Sequence, residues 1–535
     1  MGSGIGESQP SIYPDPAPLL LPSSSSSATS EPYPSPISFV PSPRPFRDLP
    51  LASLFLLLSL STLSLGLFAL FRRNPDATRA DLFSFDPSTS SCVLSDPRLS
   101  SSHFSSSSSF VKDLTLTLVA TFLLAAPIAL ALLWILRRYT KQVVYAAVPF
   151  FVLTPALLNA YWFAACTLAE GCRAAFPLAY RVLVLVFVFV LVAIILWIVV
   201  ANWSRVELTI HIVRVAAAAL AENLALLAVL PLLGLGLLVY FAPIVVFLVF
   251  ATWNGEVVAR EREGARGERH YACVWKQDAW VPAYFALAII TMVWSAATMV
   301  EAKVYVISGT IAQWYFAKEG TRPTKSLRSS LRNAFGPSFG TICFSGMVMG
   351  AVRFVRAVVD SANQENETRG FVNLVLKCCA NFLFLAFDFV NKFTINFAAI
   401  TGEAYCSAAR TSYDLLKRNL LSAVFVETVS TRVLIGIIFV LSAFYAIVVC
   451  AILKAVSALG VKMYLVAALA WLLLMVVLGY FVHVLDNVVD TVYVCYAIDR
   501  DKGEVNKQDV HEVYVQLPLS RNHRPPLSSR SPLIV

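Results

Sequence analysis

What most constrains this chain is the recurrence of uninterrupted apolar runs, each about 20 residues long, from residue 51 to residue 485. Wound as a helix, a run of that length covers the ~30 Å of hydrocarbon in a bilayer. A backbone surrounded by lipid has to satisfy its own hydrogen bonds, which leaves the helix as the natural unit for such runs. Ten runs qualify: residues 51–71, 114–136, 143–165, 182–201, 224–250, 281–316, 338–359, 371–390, 433–453 and 463–485. The expected fold class is an all-α polytopic membrane protein with about ten transmembrane helices. Composition agrees, with 58% apolar and 14% charged residues against about 25% charged in soluble domains.

Three regions are expected. Residues 1–48 are rich in Ser and Pro, include the run Ser23–Ser27, and offer too little apolar surface to offset the entropy of ordering, so they read as a disordered cytosolic tail. Residues 49–500 form the transmembrane domain, and residues 501–535 a cytosolic C-terminal tail. The first apolar run is expected to act as an uncleaved signal anchor. An even number of spans puts both termini on one side. Arg137, Arg138 and Lys141, then Lys318, Arg322, Lys325, Arg328 and Arg332, then Arg410, Lys417 and Arg418 all fall in loops on that side, which makes it cytosolic.

The formal charge of +9 is spread over these short loops instead of forming one basic stripe, so nucleic acid is not an expected partner. The ten cysteines include no CxxC pair, and the six histidines lack ligand spacing, so no metal and no cofactor is expected. The topology places Cys92, Cys166, Cys172 and Cys273 outside, where disulfides persist. Three pairings are open to four cysteines, and Cys166 with Cys172 is the closest in sequence. Asn366 opens an Asn-Glu-Thr glycosylation sequon in an external loop.

Two further stretches, residues 205–223 and 396–419, repeat polar residues at helical spacing. In the first, Glu207, His211, Arg214 and Glu222 oppose Leu208, Ile212, Val215 and Ala219. Both are expected to be amphipathic cytosolic helices or cytosolic extensions of neighbouring spans.

No Walker loop, GxSxG elbow or HExxH pair is present, so neither an ATP-driven pump nor an enzyme is expected. Ionisable residues inside apolar spans are costly and point to function. Glu301 with Lys303 in the sixth run, Asp388 with Lys392 at the end of the eighth, and Asp486 with Asp490 at the end of the tenth are of this kind. Structural placement is the competing explanation: Glu301 paired with Lys303 or Arg353, Asp388 with Lys392, and Asp486 and Asp490 at the cytosolic interface near Arg500. Buried acids attract cations, and a quaternary ammonium, which donates no hydrogen bond, is best held over aromatic faces. Trp294 and Tyr305 flank Glu301 in the sixth run, so the expected substrate-binding set is Trp294, Glu301, Tyr305, Asp388 and Asp486. Gly309 and the small residues Ser295, Ala296 and Ala297 on the same run would let helices approach closely.

The segment from Val304 to Phe316, VYVISGTIAQWYF, resembles the Gly-x-x-Ala-x-Trp-Tyr-Phe run of the choline transporter-like family. The segments SLRSSLR (326–332), FGPSFG (335–340), Asn391-Lys392, AITGEAYCSAAR (399–410), LLKRN (415–419) and DTVYVCYAID (490–499) are similar to family elements in the same order. Together they extend the resemblance over residues 114–501, with the tail and short first external loop resembling the plant and fungal branch. The resemblance implies ten helices with cytosolic termini and carriage of choline or a related small organic cation such as ethanolamine, at the plasma membrane or alternatively in Golgi or endosomal membranes. The alternative it leaves is a non-transporting scaffold in vesicle trafficking or lipid homeostasis.

Overall fold

The computed structural model describes residues 39, 43–74, 77, 83–86, 91–94, 108–201, 203–263, 269–318, 325–365, 371–456, 460 and 462–515. Among them, nine helices are long and apolar enough to cross a membrane. They are α1 (Leu49–Phe71), α2 (Ser108–Leu168), α4 (Leu178–Ala201), α6 (Ala225–Thr252), α7 (Val281–Tyr315), α9 (Phe339–Glu365), α10 (Phe371–Thr401), α11 (Tyr405–Val456) and α12 (Lys462–Lys502). The second and third expected spans share α2, whose 61 residues are interrupted at Tyr139, with φ −128° and ψ 26°. Side chains at equal distances from that break, Ile128 to Ile135 on one arm and Val143 to Phe150 on the other, line a single cavity beside Ile437–Ile447 of α11. A straight helix would hold Ile128 and Phe150 about 33 Å apart. α2 therefore bends at Tyr139 into two arms, each long enough to cross, and the protein is all-α and polytopic with about ten crossings.

The first amphipathic stretch is a separate helix, α5 (Trp203–Glu222). Leu208, Ile212, Val213, Ala216, Ala219 and Leu220 are buried while His211, Arg214 and Glu222 are exposed. Its apolar face is covered mainly by α2 and α12, so the protein, and not lipid, receives that face. The second stretch is divided. Its first residues complete α10, the chain breaks at Gly402 with φ 75°, and the remainder opens α11. The Gly402 N–H donates to the Ala398 carbonyl at 2.9 Å, the left-handed closure that glycine makes at a helix C-terminus. That stretch is thus two extensions of neighbouring crossings.

At one end of the bundle two antiparallel hairpins lie together: β1 (Phe83–Asp86) with β2 (Ser91–Leu94), and β3 (Gly255–Glu263) with β4 (Arg269–Gln277). Cys92 is joined to Cys273 and Cys166 to Cys172, and Phe85 stacks on Tyr271 at 4.9 Å. The first disulfide closes 181 residues of chain, tying the loop after α1 to the loop after α6. Helix α3 (Glu170–Ala175) holds Cys172 at the same end.

The opposite end carries α5, the short α8 (Ser326–Ala334) and α13 (Gln508–Tyr514). It also carries an ordered strap, residues 43–48, from within the segment expected to be a tail. The Arg44 guanidinium donates to the carbonyls of Ala399 and Ile400 at 2.8 and 3.2 Å. The Asp48 carboxylate accepts from the Thr341 hydroxyl at 2.8 Å and the Tyr405 N–H at 2.9 Å. On the C-terminal side, α13 buries Val510 and Tyr514 in what sequence placed in the second tail. Residues 1–38 and the sequon at Asn366 lie outside the described residues.

Candidate functional site

Helix α7 is the hub of the bundle, and small residues make it so. Ala288, Ala297, Ala302 and Gly309 are all buried. A side chain at Gly309 would meet Ser330 at 3.0 Å, and one at Gly346 on α9 would meet the Thr298 backbone at 2.7 Å. Close approach of this kind replaces the hydrophobic drive that helices lack in lipid. It brings polar side chains of α7, α9, α10, α11 and α12 into one water-poor interior.

Within that interior Glu301 is 5% exposed. Its carboxylate accepts a hydrogen bond from Asn391 Nδ2 at 3.1 Å. The Asn391 carbonyl oxygen accepts in turn from the hydroxyls of Ser345 at 2.9 Å and Tyr405 at 2.8 Å, and Tyr405 stacks on Phe344 with ring centres 4.6 Å apart. The local pairs that sequence allowed are not made. Lys303 extends toward Gly234 on α6, Arg353 is exposed, and among the described residues Glu301 has no ion pair. A buried carboxylate is thus surrounded by neutral donors.

One residue further along α10, Lys392 points the other way. Its ammonium bonds Asp486 at 3.1 Å and pairs also with Asp490, and Thr431 donates to Asp486 at 2.5 Å. The expected i, i+4 pairing of Lys392 with Asp388 gives way to this interhelical cluster because α12 places two acids opposite the lysine. Asp388 is half-buried and forms no ion pair among the described residues. Asp486 and Asp490 therefore share one lysine, an excess of one negative charge if both are ionised. Beyond Asp490, Tyr514 of α13 is buried; burial holds its phenol well above its ordinary value, with Asp490 adding to the shift. Asp499, fully buried, accepts from the Tyr315 hydroxyl at 2.9 Å and from Asn506 Nδ2 at 2.7 Å.

A neutral seam joins α7, α10 and α12. The Ser308 hydroxyl lies 2.7 Å from Asn396 Oδ1 and 3.0 Å from the Thr491 hydroxyl, and Thr491 donates to the Asn487 carbonyl at 2.7 Å. Asn396 Nδ2 and Asn487 Oδ1 are buried with no hydrogen-bond partner among the described residues. An orphaned donor and an orphaned acceptor in one seam are unusual in a packed interior and suit a ligand hydroxyl or a water.

The expected aromatic cage is not assembled. Trp294 donates its indole N–H to the Cys343 carbonyl at 3.0 Å and packs edge-on against Phe55. The Tyr305 hydroxyl accepts from Arg44 at 2.6 Å and donates to Ser338 at 2.7 Å. Both rings fasten α7 to its neighbours. The aromatic residue that reaches the Glu301 network is Tyr405. Sequence reasoning missed Asn391, Ser345 and Tyr405 as site residues. Asn391 and Asn396, five apart inside an apolar helix, were the available signal, and Tyr405 lay within segments noted for amphipathic spacing and for their resemblance, not as a site residue.

Comparison with known proteins finds a matching family and distant relatives. A family model described as plasma-membrane choline transporter matches residues 186–501, which includes α7 and α9–α12. A CTL-like protein of Dictyostelium discoideum is 23% identical over 235 residues, 41% of this chain and 42% of its own length. The choline transporter-like 2 protein of Anopheles gambiae is 26% identical over 165 residues, 30% of this chain and 20% of its own. The choline transporter-like protein 5 of Macaca fascicularis is 26% identical over 164 residues, 29% and 23% respectively. The chain thus spans less than half the length of each of these relatives.

Proposed function

The chain belongs to the plasma-membrane choline transporter family, and from that premise we propose that it is a facilitative carrier of choline or a related small organic cation such as ethanolamine, acting at the plasma membrane. The observation that carries the reading is Glu301, a buried carboxylate held by neutral donors and free of any ion pair among the described residues. Such a group favours the arrival of a cation. At Asp486, Lys392 already offsets part of the acidic charge. The orphaned amide atoms of Asn396 and Asn487 would receive a substrate hydroxyl, and Tyr405 would offer a ring face to an alkylated ammonium. A fixed positive charge is drawn inward by the membrane potential, worth about 2.3 kcal/mol per 100 mV, so no coupling ion is required.

Uptake of radiolabelled choline and ethanolamine into proteoliposomes under an imposed inside-negative potential tests the reading. Uptake is expected to exceed that of empty liposomes and to rise with the potential. Glu301→Gln, which keeps the hydrogen bond from Asn391 available, is expected to lower it roughly tenfold at subsaturating substrate, the effect of losing ~1.4 kcal/mol, with normal folding. Flux no faster than into empty liposomes for both amines would end the carrier reading and leave the scaffold role in trafficking in its place.

A further inference from the structure

The bend of α2 builds a second site that the transport reading does not use. The cavity in the angle between its arms holds about 580 Å³, inside the ~300–1,000 Å³ typical of small-molecule sites. Its lining is wholly apolar, and on its open side Phe444 and Ile447 of α11 are exposed. The lining stops at Ile135 on the first arm and resumes at Val143 on the second. The bend between those residues carries Arg137 and Arg138, both exposed. Arg432 of α11, also exposed, sits five residues before the lining residue Ile437, a rise of about 7.5 Å. Lys141 is engaged by Glu207 at 3.3 Å, whereas the three arginines form no ion pair among the described residues. An apolar pocket opening sideways from a membrane bundle, with unpaired guanidinium groups at one end, has the polarity of a phospholipid.

We infer that this cavity is a binding site for an anionic phospholipid, one acyl chain seated between the α2 arms and α11 and the phosphate held by Arg137, Arg138 and Arg432. Arginine presents a planar fork that matches phosphate oxygens, and a negatively charged headgroup complements three basic side chains where a zwitterionic one leaves them partly uncompensated. The occupant would brace the bend at Tyr139, a point where α2 lacks helical backbone geometry.

The test uses the full chain purified in detergent, with dioleoyl phosphatidylglycerol and dioleoyl phosphatidylcholine as probes, read by native mass spectrometry and by thermal melting. Phosphatidylglycerol is expected to be retained in preference and to raise the melting temperature more. Each of Arg137→Gln, Arg138→Gln and Arg432→Gln is expected to weaken its retention about fivefold. Arg173→Gln on α3, at the other end of the bundle, should leave it unchanged. Ala146→Trp fills the cavity from an exposed position on its wall and should reduce retention with the arginines intact. Equal retention of the two lipids, or wild-type retention of phosphatidylglycerol by the triple arginine variant or by Ala146→Trp, would overturn the proposal.

Discussion

Helices α4 and α10 both cross the membrane and behave as opposites. α4 is the more apolar of the two, yet only 6% of its most apolar stretch is buried, against 50% for α10. In α4 the one buried residue among those described is Arg181, which donates to Thr167 at 3.0 Å. In α10 the buried residues include Asn391, Thr394 and Asn396. In water an apolar helix is driven inward; in lipid that drive vanishes, and burial follows polarity and small-residue packing instead. Of these two crossings the more hydrophobic lies at the periphery, and the less hydrophobic one carries residues of the candidate site.

Removal of the cation that serves Asp486 and Asp490 would put the greatest strain on this contrast. Lys392→Ala leaves Asp486 and Asp490 without the ammonium that bonds both. It is expected to cost about 3–5 kcal/mol, read as loss of monodisperse protein on size exclusion or a steep fall in melting temperature. Wild-type stability in that variant would mean that charge does not organise the interior.

A matched pair of glycines sharpens the same contrast at smaller scale. On α9, Gly346→Ala drives a methyl group into the Thr298 backbone 2.7 Å away, and an overpacking cost of about 1–3 kcal/mol should lower the melting temperature. On α6, Gly236→Ala meets nothing within 4 Å, so the gain in helix propensity of up to ~1 kcal/mol is unopposed and the temperature should hold or rise. Equal responses would erase the distinction between core and periphery. The smallest effect belongs to His211→Ala on the exposed face of α5, expected to stay within about 0.5 kcal/mol of wild type by the same melting assay, whereas Leu220→Ala on its buried face should be plainly destabilising.

How much of this was legible depended on the range of the interaction. The crossings were readable because length and hydropathy are properties of contiguous residues, and so was the inward face of α5. Glu301 could be found for the same reason, as an acid inside an apolar run. Its surroundings could not. Trp294 and Tyr305 share α7 with it, and helical spacing reports which residues lie near one another on a helix but not what stands opposite. Tyr305 is bound by Arg44, 261 positions away in sequence, and Lys392 by acids 94 and 98 positions on. The β3–β4 hairpin was equally hidden, since its many charges read as a loop.

Sequence alone determined that the chain lives in a bilayer, that about ten segments cross it, and that a few ionisable groups sit where lipid would not tolerate them. These follow from the cost of placing polar groups in hydrocarbon, a cost each segment incurs by itself. Tertiary structure decided which buried acid has no ion pair among the described residues, which lysine is shared, where α2 bends, and that the aromatic residues beside Glu301 fasten helices together. Those outcomes depend on which helices meet, and small residues far apart in the chain, such as Gly309 and Gly346, govern that meeting.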